Sequence, residues 1–131
     1  MTRFSVTVPA NLALTASKTG EVYASSNAAI INNSTGMIEV KSITVSSMNG
    51  WTLVPYRYNM AQAKVDSKWT GFSVNGAETV KSGDTETLNL SGNWQIAKGS
   101  SLPFNYNAVI SATSVPINQQ VLTIVFVVDW A

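Results

Sequence analysis

The sequence predicts an all-β protein, built as a single antiparallel β-sandwich domain over residues 1–131. Apolar and polar residues alternate with a period of two through most of the chain, which is typical of strands with one buried face. Turn residues recur about every 8–12 positions, and this spacing indicates about nine or ten strands in an Ig-like or jelly-roll-like arrangement. No strand–helix alternation, heptad or internal repeat favours another fold class.

The N-terminal part predicts a short strand followed by a hairpin. Phe4, Val6 and Val8 fall on one face of the first strand. Residues 12–24 have the pattern of two strands joined by a Lys-Thr-Gly turn at residues 18–20.

One long strand contains a defect in its alternation. Ile38 and Val40 are in phase with each other, whereas Ile43 and Val45 are one position out of step with them. One extra residue restores the phase when it forms a β-bulge. We therefore predict a bulge at residues 41–42 that places all four apolar side chains on one face.

Two Asn-Gly pairs predict tight hairpin turns. Asn49-Gly50 joins the bulged strand to a strand over residues 51–54, and Asn75-Gly76 lies between two further apolar runs. Residues 58–64 are the only candidate for helix, as a single turn.

The last two predicted strands are the clearest. Phe104, Tyr106, Ala108 and Ile110 form one apolar face. Residues 121–130 are apolar on both faces, which predicts a central strand covered on both sides.

The composition excludes several classes of function. The chain has no His and no Cys, which removes imidazole and thiolate catalysis, zinc sites and haem or iron–sulfur ligation. Charged residues make up 11% of the chain and the formal net charge is +1, so the basic surface of a nucleic-acid or membrane-surface binder is missing. The acidic run at residues 83–86 is interpreted as a turn. We expect a non-enzymatic protein with no cofactor, no metal, no nucleic-acid partner and no membrane insertion.

Three of the four tryptophans are predicted to lie in the core. Trp51, Trp69 and Trp130 occupy apolar strand registers, and we predict that they lie in the core. The pattern around Trp94 does not indicate whether this side chain is buried or exposed.

Tyr56, Arg57 and Tyr58 form the candidate contact site, together with Trp94. The first three follow a proline at the end of a strand, where exposure is expected. Aromatic rings and arginine are enriched at the centres of protein interfaces. Flat exposed rings can also stack on sugars, so the partner of this site is either another protein subunit or a surface glycan.

Several motifs resemble those of a known group of proteins. They are V-P-x-x-L-x-L at residues 8–14, N-A-x-I-x-N-N-S at residues 27–34, N-G-W-x-L at residues 49–53 and F-x-x-x-W at residues 126–130. The chain resembles β-sandwich modules in surface proteins of Gram-positive bacteria and in structural proteins of their phages. The resemblance implies a sandwich framework and transfers no catalytic residues.

The N-terminal residues lack the apolar core of a signal peptide, so either the protein is made without export or a leader has been removed. Synthesis without a leader would favour a phage component over a secreted one. We therefore predict a structural or attachment module of the virion, either a capsid decoration or a tail-associated protein. Its partners would be other subunits, namely copies of itself or capsid and tail proteins. The alternatives are an extracellular adhesin module of the bacterial cell surface and a carbohydrate-binding module that uses exposed aromatics.

Overall fold

The computed structural model describes residues 3–8, 14–16, 22–24, 28–114 and 121–131. These residues form an all-β structure, which confirms the predicted fold class, and their only helical segment is a 3₁₀ turn, η1 (Met60–Gln62). The described strands are β1 (Val6–Thr7), β2 (Leu14–Ala16), β3 (Val22–Ala24), β4 (Ala29–Asn32), β5 (Ile38–Ser47), β6 (Thr52–Leu53), β7 (Trp69–Val74), β8 (Ala77–Glu78), β9 (Thr85–Thr87), β10 (Gln95–Ile96), β11 (Ser101–Pro103), β12 (Tyr106–Ile110) and β13 (Leu122–Trp130). They outnumber the nine or ten expected strands because many are only two or three residues long.

The described strands form four sheets that pack against one another as in a β-sandwich. One sheet has the order β1-β4-β11, and β2 pairs with β3 as a hairpin. A four-stranded sheet is built on β5, which pairs with β13 along one edge and with β9 and β10 along the other. The second four-stranded sheet has the order β12-β7-β6, with β8 also paired to β7. Only the short β6–β7 pair is parallel among these described pairs.

One hydrophobic core joins the inner faces of three of these sheets. The β5 sheet contributes Ile38 and Ile43, the β7 sheet contributes Phe72, and the β4 sheet contributes Ile30, all of them fully buried. Phe104, Tyr106, Ala108 and Ile110 are buried on one face, as the alternation predicts. Burial of facing apolar layers is the dominant favourable contribution to folding in a sandwich of this kind.

β5 contains the bulge that the sequence predicts. Val127 pairs with Ser42 and Val128 pairs with Val40, so Lys41 is the extra residue that is skipped in the pairing with β13. The extra residue brings the two halves of the strand into the same phase. Four apolar side chains are therefore buried on one face of β5: Ile38, Val40, Ile43 and Val45.

The two Asn-Gly turns have different outcomes. Asn75-Gly76 joins β7 to β8 as an antiparallel hairpin, as predicted. Asn49-Gly50 also turns, with φ angles of 57° and 85°, but β6 pairs in parallel with β7 and not with β5. The prediction of a hairpin at Asn49-Gly50 is wrong because β13, β9 and β10 already occupy both edges of β5.

The prediction that the last strand is covered on both faces is also wrong. β13 pairs with β5 along its whole length and with no other described strand. Phe126 packs against the core, whereas Val125 and Val127 on the other face are 50% and 47% exposed. An apolar run in this chain thus marks a strand with one buried face and one exposed face.

The remaining local predictions are confirmed in part. Leu14 pairs with Ala24 and Ala16 with Val22, as expected of the N-terminal hairpin, while its turn at residues 18–20 lies outside the described residues. The single helical turn expected at residues 58–64 is the shorter η1, which Asn59 caps by accepting a hydrogen bond from the Ala61 N–H at 3.1 Å.

Gly71 lies where residues 54–56 cross β7. A Cβ atom on Gly71 would be 2.7 Å from Tyr56 Cα and 3.0 Å from the Val54 carbonyl oxygen. Both neighbouring atoms belong to backbone, which has little freedom to move. Glycine at this position is therefore required by the crossing itself.

We predict that Gly71→Ala lowers the free energy of unfolding by about 3 kcal/mol, because the added methyl group overpacks a buried crossing. Gly36→Ala is the matched control, since its Cβ would meet the Trp130 ring at an ordinary 3.5 Å and its backbone is not left-handed. The control should stay within about 1 kcal/mol of the wild type. Chemical denaturation of the three proteins measures both values, and equal stability of the two variants would contradict the crossing argument.

Candidate interaction surfaces

The predicted contact site forms a corner after β6, which we call the aromatic corner and define as Tyr56, Arg57 and Tyr58. Thr79 fixes its start, because the Thr79 hydroxyl donates to the Val54 carbonyl at 2.8 Å and accepts from the Phe72 N–H at 3.1 Å. The Tyr56 N–H donates to the Thr79 carbonyl at 2.9 Å. Thr79 is 1% exposed, so this attachment is shielded from water.

Arg57 is the exposed residue of the aromatic corner, and its side chain is 85% accessible. Its Nε donates to Glu78 Oε1 on β8 at 2.6 Å, and this hydrogen bond, together with the negative charge, raises the pKa of Arg57 above its usual value. The guanidinium stays charged in any case. The contact with Glu78 therefore orients the group while leaving most of its donors open to solvent.

Tyr58 and Trp69 meet edge to face, with ring centroids 5.5 Å apart and planes at 84°. Trp69 is anchored by its backbone, since its N–H donates to Ser111 Oγ at 3.0 Å and its carbonyl accepts from the Ser111 N–H at 2.9 Å. Both rings are half-buried. Perpendicular rings form a corner and not a continuous flat platform for a sugar.

Trp94 lies in the core and does not join the aromatic corner. It is 5% exposed, and its indole N–H donates to the Ser91 carbonyl at 3.0 Å. The burial of Trp94 therefore does not support the prediction that it is a contact residue. The alternation in the sequence carries this information, because Trp94, just before β10, and Ile96 are two residues apart and are both buried.

The three tryptophans predicted in the core differ in burial. Trp51 is 4% exposed. Trp69 and Trp130 are only half-buried, and Trp130 packs edge to face on the exposed Phe4 with centroids 5.1 Å apart. Trp130 also packs against the core, so it lies at the margin of the core.

A second surface, which the sequence analysis missed, is the outer face of the β9–β5–β13 sheet. The strand registers align its side chains in rows across the strands: Thr85, Ser46 and Thr123; Thr87, Thr44 and Val125; then Ser42 and Val127. We call these eight residues the hydroxyl face. Cross-strand neighbours are linked by their hydroxyls, at 3.1 Å between Thr44 and Thr87 and 3.2 Å between Ser46 and Thr85.

The hydroxyl face has an uneven distribution of charge. Its eight residues carry none, but the next row at one end contains Gln95, Glu39 and Asp129. Lys41, the bulged residue, lies at the same end and pairs with Glu39 at 2.7 Å. The surface is therefore neutral along three rows and carries charged groups at one end.

Asp66 ties the segment after η1 to the end of β12. Its carboxylate accepts from the Ser114 N–H at 2.9 Å and from the Ser114 hydroxyl at 2.7 Å. Its own N–H donates to the Ala112 carbonyl at 2.8 Å. The two bonds from Ser114, the hydroxyl first, lower the pKa of Asp66 below its ordinary value of 3.8.

The acidic run at residues 83–86 is not the simple turn that the sequence predicts, because its second half lies in β9. Glu86 is 8% exposed, and its carboxylate accepts from the N–H groups of Val80 and Lys81 at 3.0–3.2 Å. In the described part of the chain, no three acidic side chains gather as a metal site would require. No helix among those residues is long and apolar enough to cross a membrane.

Comparison with known proteins gives no match to a family model, to a curated protein or to a solved structure. The resemblance to bacterial surface and phage modules accordingly remains a prediction from the motifs.

We predict that the contribution of Asp66 to stability is present at neutral pH and lost in acid. The folded-state pKa is lowered, so folding is favoured above the unfolded-state pKa, and the gain disappears as the pH falls from about 3.8 through the lower folded-state value. Asp66→Asn should be less stable than the wild type at pH 7 and approach it in acid. Asn suits this position because Asp66 has a φ of 65°.

Denaturation of both proteins between pH 7 and pH 2.5 measures this difference. Ser114→Ala removes the hydroxyl donor but keeps the backbone N–H, so it should lose part of the same contribution. A stability difference between Asp66→Asn and the wild type that is independent of pH would contradict the assignment.

Proposed function

We propose that this protein is a non-enzymatic structural or attachment module of a phage particle, a capsid decoration or tail-associated subunit that acts by packing against neighbouring protein subunits. The observation that carries the proposal is the hydroxyl face, an uncharged sheet surface with Val125 and Val127 about half exposed. Short hydroxyl side chains and valines lose less hydration free energy on burial than lysine or glutamate. Such a surface is suited to protein contact.

The aromatic corner supports the same proposal from another sheet. Interface centres favour tyrosine and arginine, and the corner presents two half-buried tyrosines beside an exposed arginine. The buried Thr79 hydrogen bonds and the Gly71 crossing hold the backbone in place before any partner binds. A preorganised contact loses less conformational entropy on binding.

The same surfaces would serve the second candidate, an adhesin module of the bacterial cell surface, because packing against protein is common to both. The carbohydrate-binding alternative is supported less well. Trp94 has no exposed face, and the Tyr58 and Trp69 rings are perpendicular.

Quantitative mass spectrometry of the native source tests the proposal. Purified particles, cell-wall material and the soluble fraction are compared for the amount of this protein relative to the major capsid protein. Enrichment in particles at a fixed high ratio is expected of a decoration or tail subunit. Enrichment in the cell wall would overturn the phage assignment in favour of the adhesin.

We predict that Arg57→Ala and Tyr58→Ala reduce incorporation into particles when each variant competes with the wild type in the same cells. Loss of an interface anchor of this type costs about 2 kcal/mol, or roughly 30-fold in the ratio of bound variant to bound wild type. Lys98→Ala, which removes one exposed positive charge elsewhere, should compete equally.

The variants are told apart by peptide mass in purified particles, and thermal unfolding confirms that each one folds. Equal incorporation of all three variants would show that the aromatic corner makes no contact in the particle.

A further inference from the structure

We propose that the hydroxyl face packs on the same face of a second copy of this chain, about a two-fold axis that runs across the strands. This inference rests on the proposed function and names one partner for it. It follows from the order of the rows on the sheet, which makes the surface complementary to itself.

The rows have a polarity along the strands. At one end, the row of Gln95, Glu39 and Asp129 offers two carboxylates, which accept hydrogen bonds. At the other end, the row of Thr85, Ser46 and Thr123 contains only hydroxyls. The Thr123 hydroxyl donates to Met48 Sδ, whereas the bond between Ser46 and Thr85 uses one hydroxyl proton and leaves the other to donate. A two-fold axis that crosses the strands midway places the carboxylate row of each copy over the hydroxyl row of the other.

The same axis brings apolar groups together in the middle of the contact. Along β13 the residues on the outer face are, in order, Thr123, Val125, Val127 and Asp129, with the centre between the two valines. The rotation therefore sets Val125 of each copy against Val127 of the other. Valine has one strongly preferred rotamer in many settings, so this apolar contact costs little side-chain entropy.

Electrostatics selects this axis over the alternative. A two-fold axis parallel to the strands and centred on β5 would superpose equal rows and bring Glu39 of one copy against Glu39 of the other, with each Asp129 over Gln95. Opposed like charges are unfavourable in a desolvated contact. Sheets that pack face to face lie about 10 Å apart with their strands rotated by about 30°, and the proposed pairing is compatible with that rotation.

The size of the face sets the expected strength. Three strands about 4.8 Å apart and four rows about 6.8 Å apart cover roughly 400 Å² on each copy. Stable complexes bury about 800 Å² on each partner, so an isolated pair should be weak and reversible. We expect a dissociation constant between about 10 µM and 1 mM for an isolated pair. The effective affinity should be higher where many copies are held side by side.

Sedimentation equilibrium of the full chain tests the pairing, and charged variants test its register. The wild type should change from monomer to dimer as its concentration rises. Val125→Lys and Val127→Asp should each weaken association at least tenfold, because a charge would face valine. A mixture of the two variants should recover the dimer, since Lys at position 125 then faces Asp at position 127. Val65→Asp, at a valine that is 59% exposed outside this face, is the matched control and should leave association unchanged.

Three results would overturn the inference. The wild type could remain monomeric at about 1 mM, which is also the outcome expected if a different protein covers the face. A dimer could be insensitive to both charged variants, or the mixture could fail to recover. Particle enrichment of a monomeric protein would overturn the self-pairing alone. A dimer that is missing from particles would overturn the phage assignment alone.

Discussion

The register of β5 is the constraint on which the rest of this structure depends. Its inner face is completely buried, and both of its edges are paired, with β13 on one side and β9 and β10 on the other. The chain that leaves β5 at Asn49-Gly50 therefore has no free edge to return to, and β6 pairs with β7 in another sheet. The segment that follows β6 therefore crosses β7 at Gly71 and continues into the aromatic corner.

The bulge at Lys41 determines what the outer face of the sheet presents. Without an extra residue, Ile43 and Val45 would point outward and the hydroxyls of Ser42, Thr44 and Ser46 would be buried without partners, which is costly. With it, the hydroxyls align with threonines on β9 and with the outward residues of β13. One inserted residue thus produces both a continuous core and an uncharged surface.

The sequence predicts what is local and misses what depends on non-local pairing. The phase shift between Val40 and Ile43 is enough to place the bulge, since alternation has a period of two. The Asn49-Gly50 turn forms, but the partner of the following strand is decided by edges that distant strands occupy. The apolar residues of β13 predict two covered faces, because composition does not show whether another layer is present. The hydroxyl face can be recognised only from the strand register, which aligns side chains of three strands that are far apart in the chain.

The two surfaces belong to different sheets, and each has a different physical character. The aromatic corner is a small, rigid group that the buried Thr79 hydrogen bonds and the packing at Gly71 hold in place. The hydroxyl face is broad, neutral and weakly apolar, so its contribution depends on area and on repetition. A subunit that uses both contacts at once is held by the product of two modest affinities, since the second contact forms at a high effective concentration. Under the proposed function, this arrangement would allow weak pairing in solution together with firm retention in an assembly.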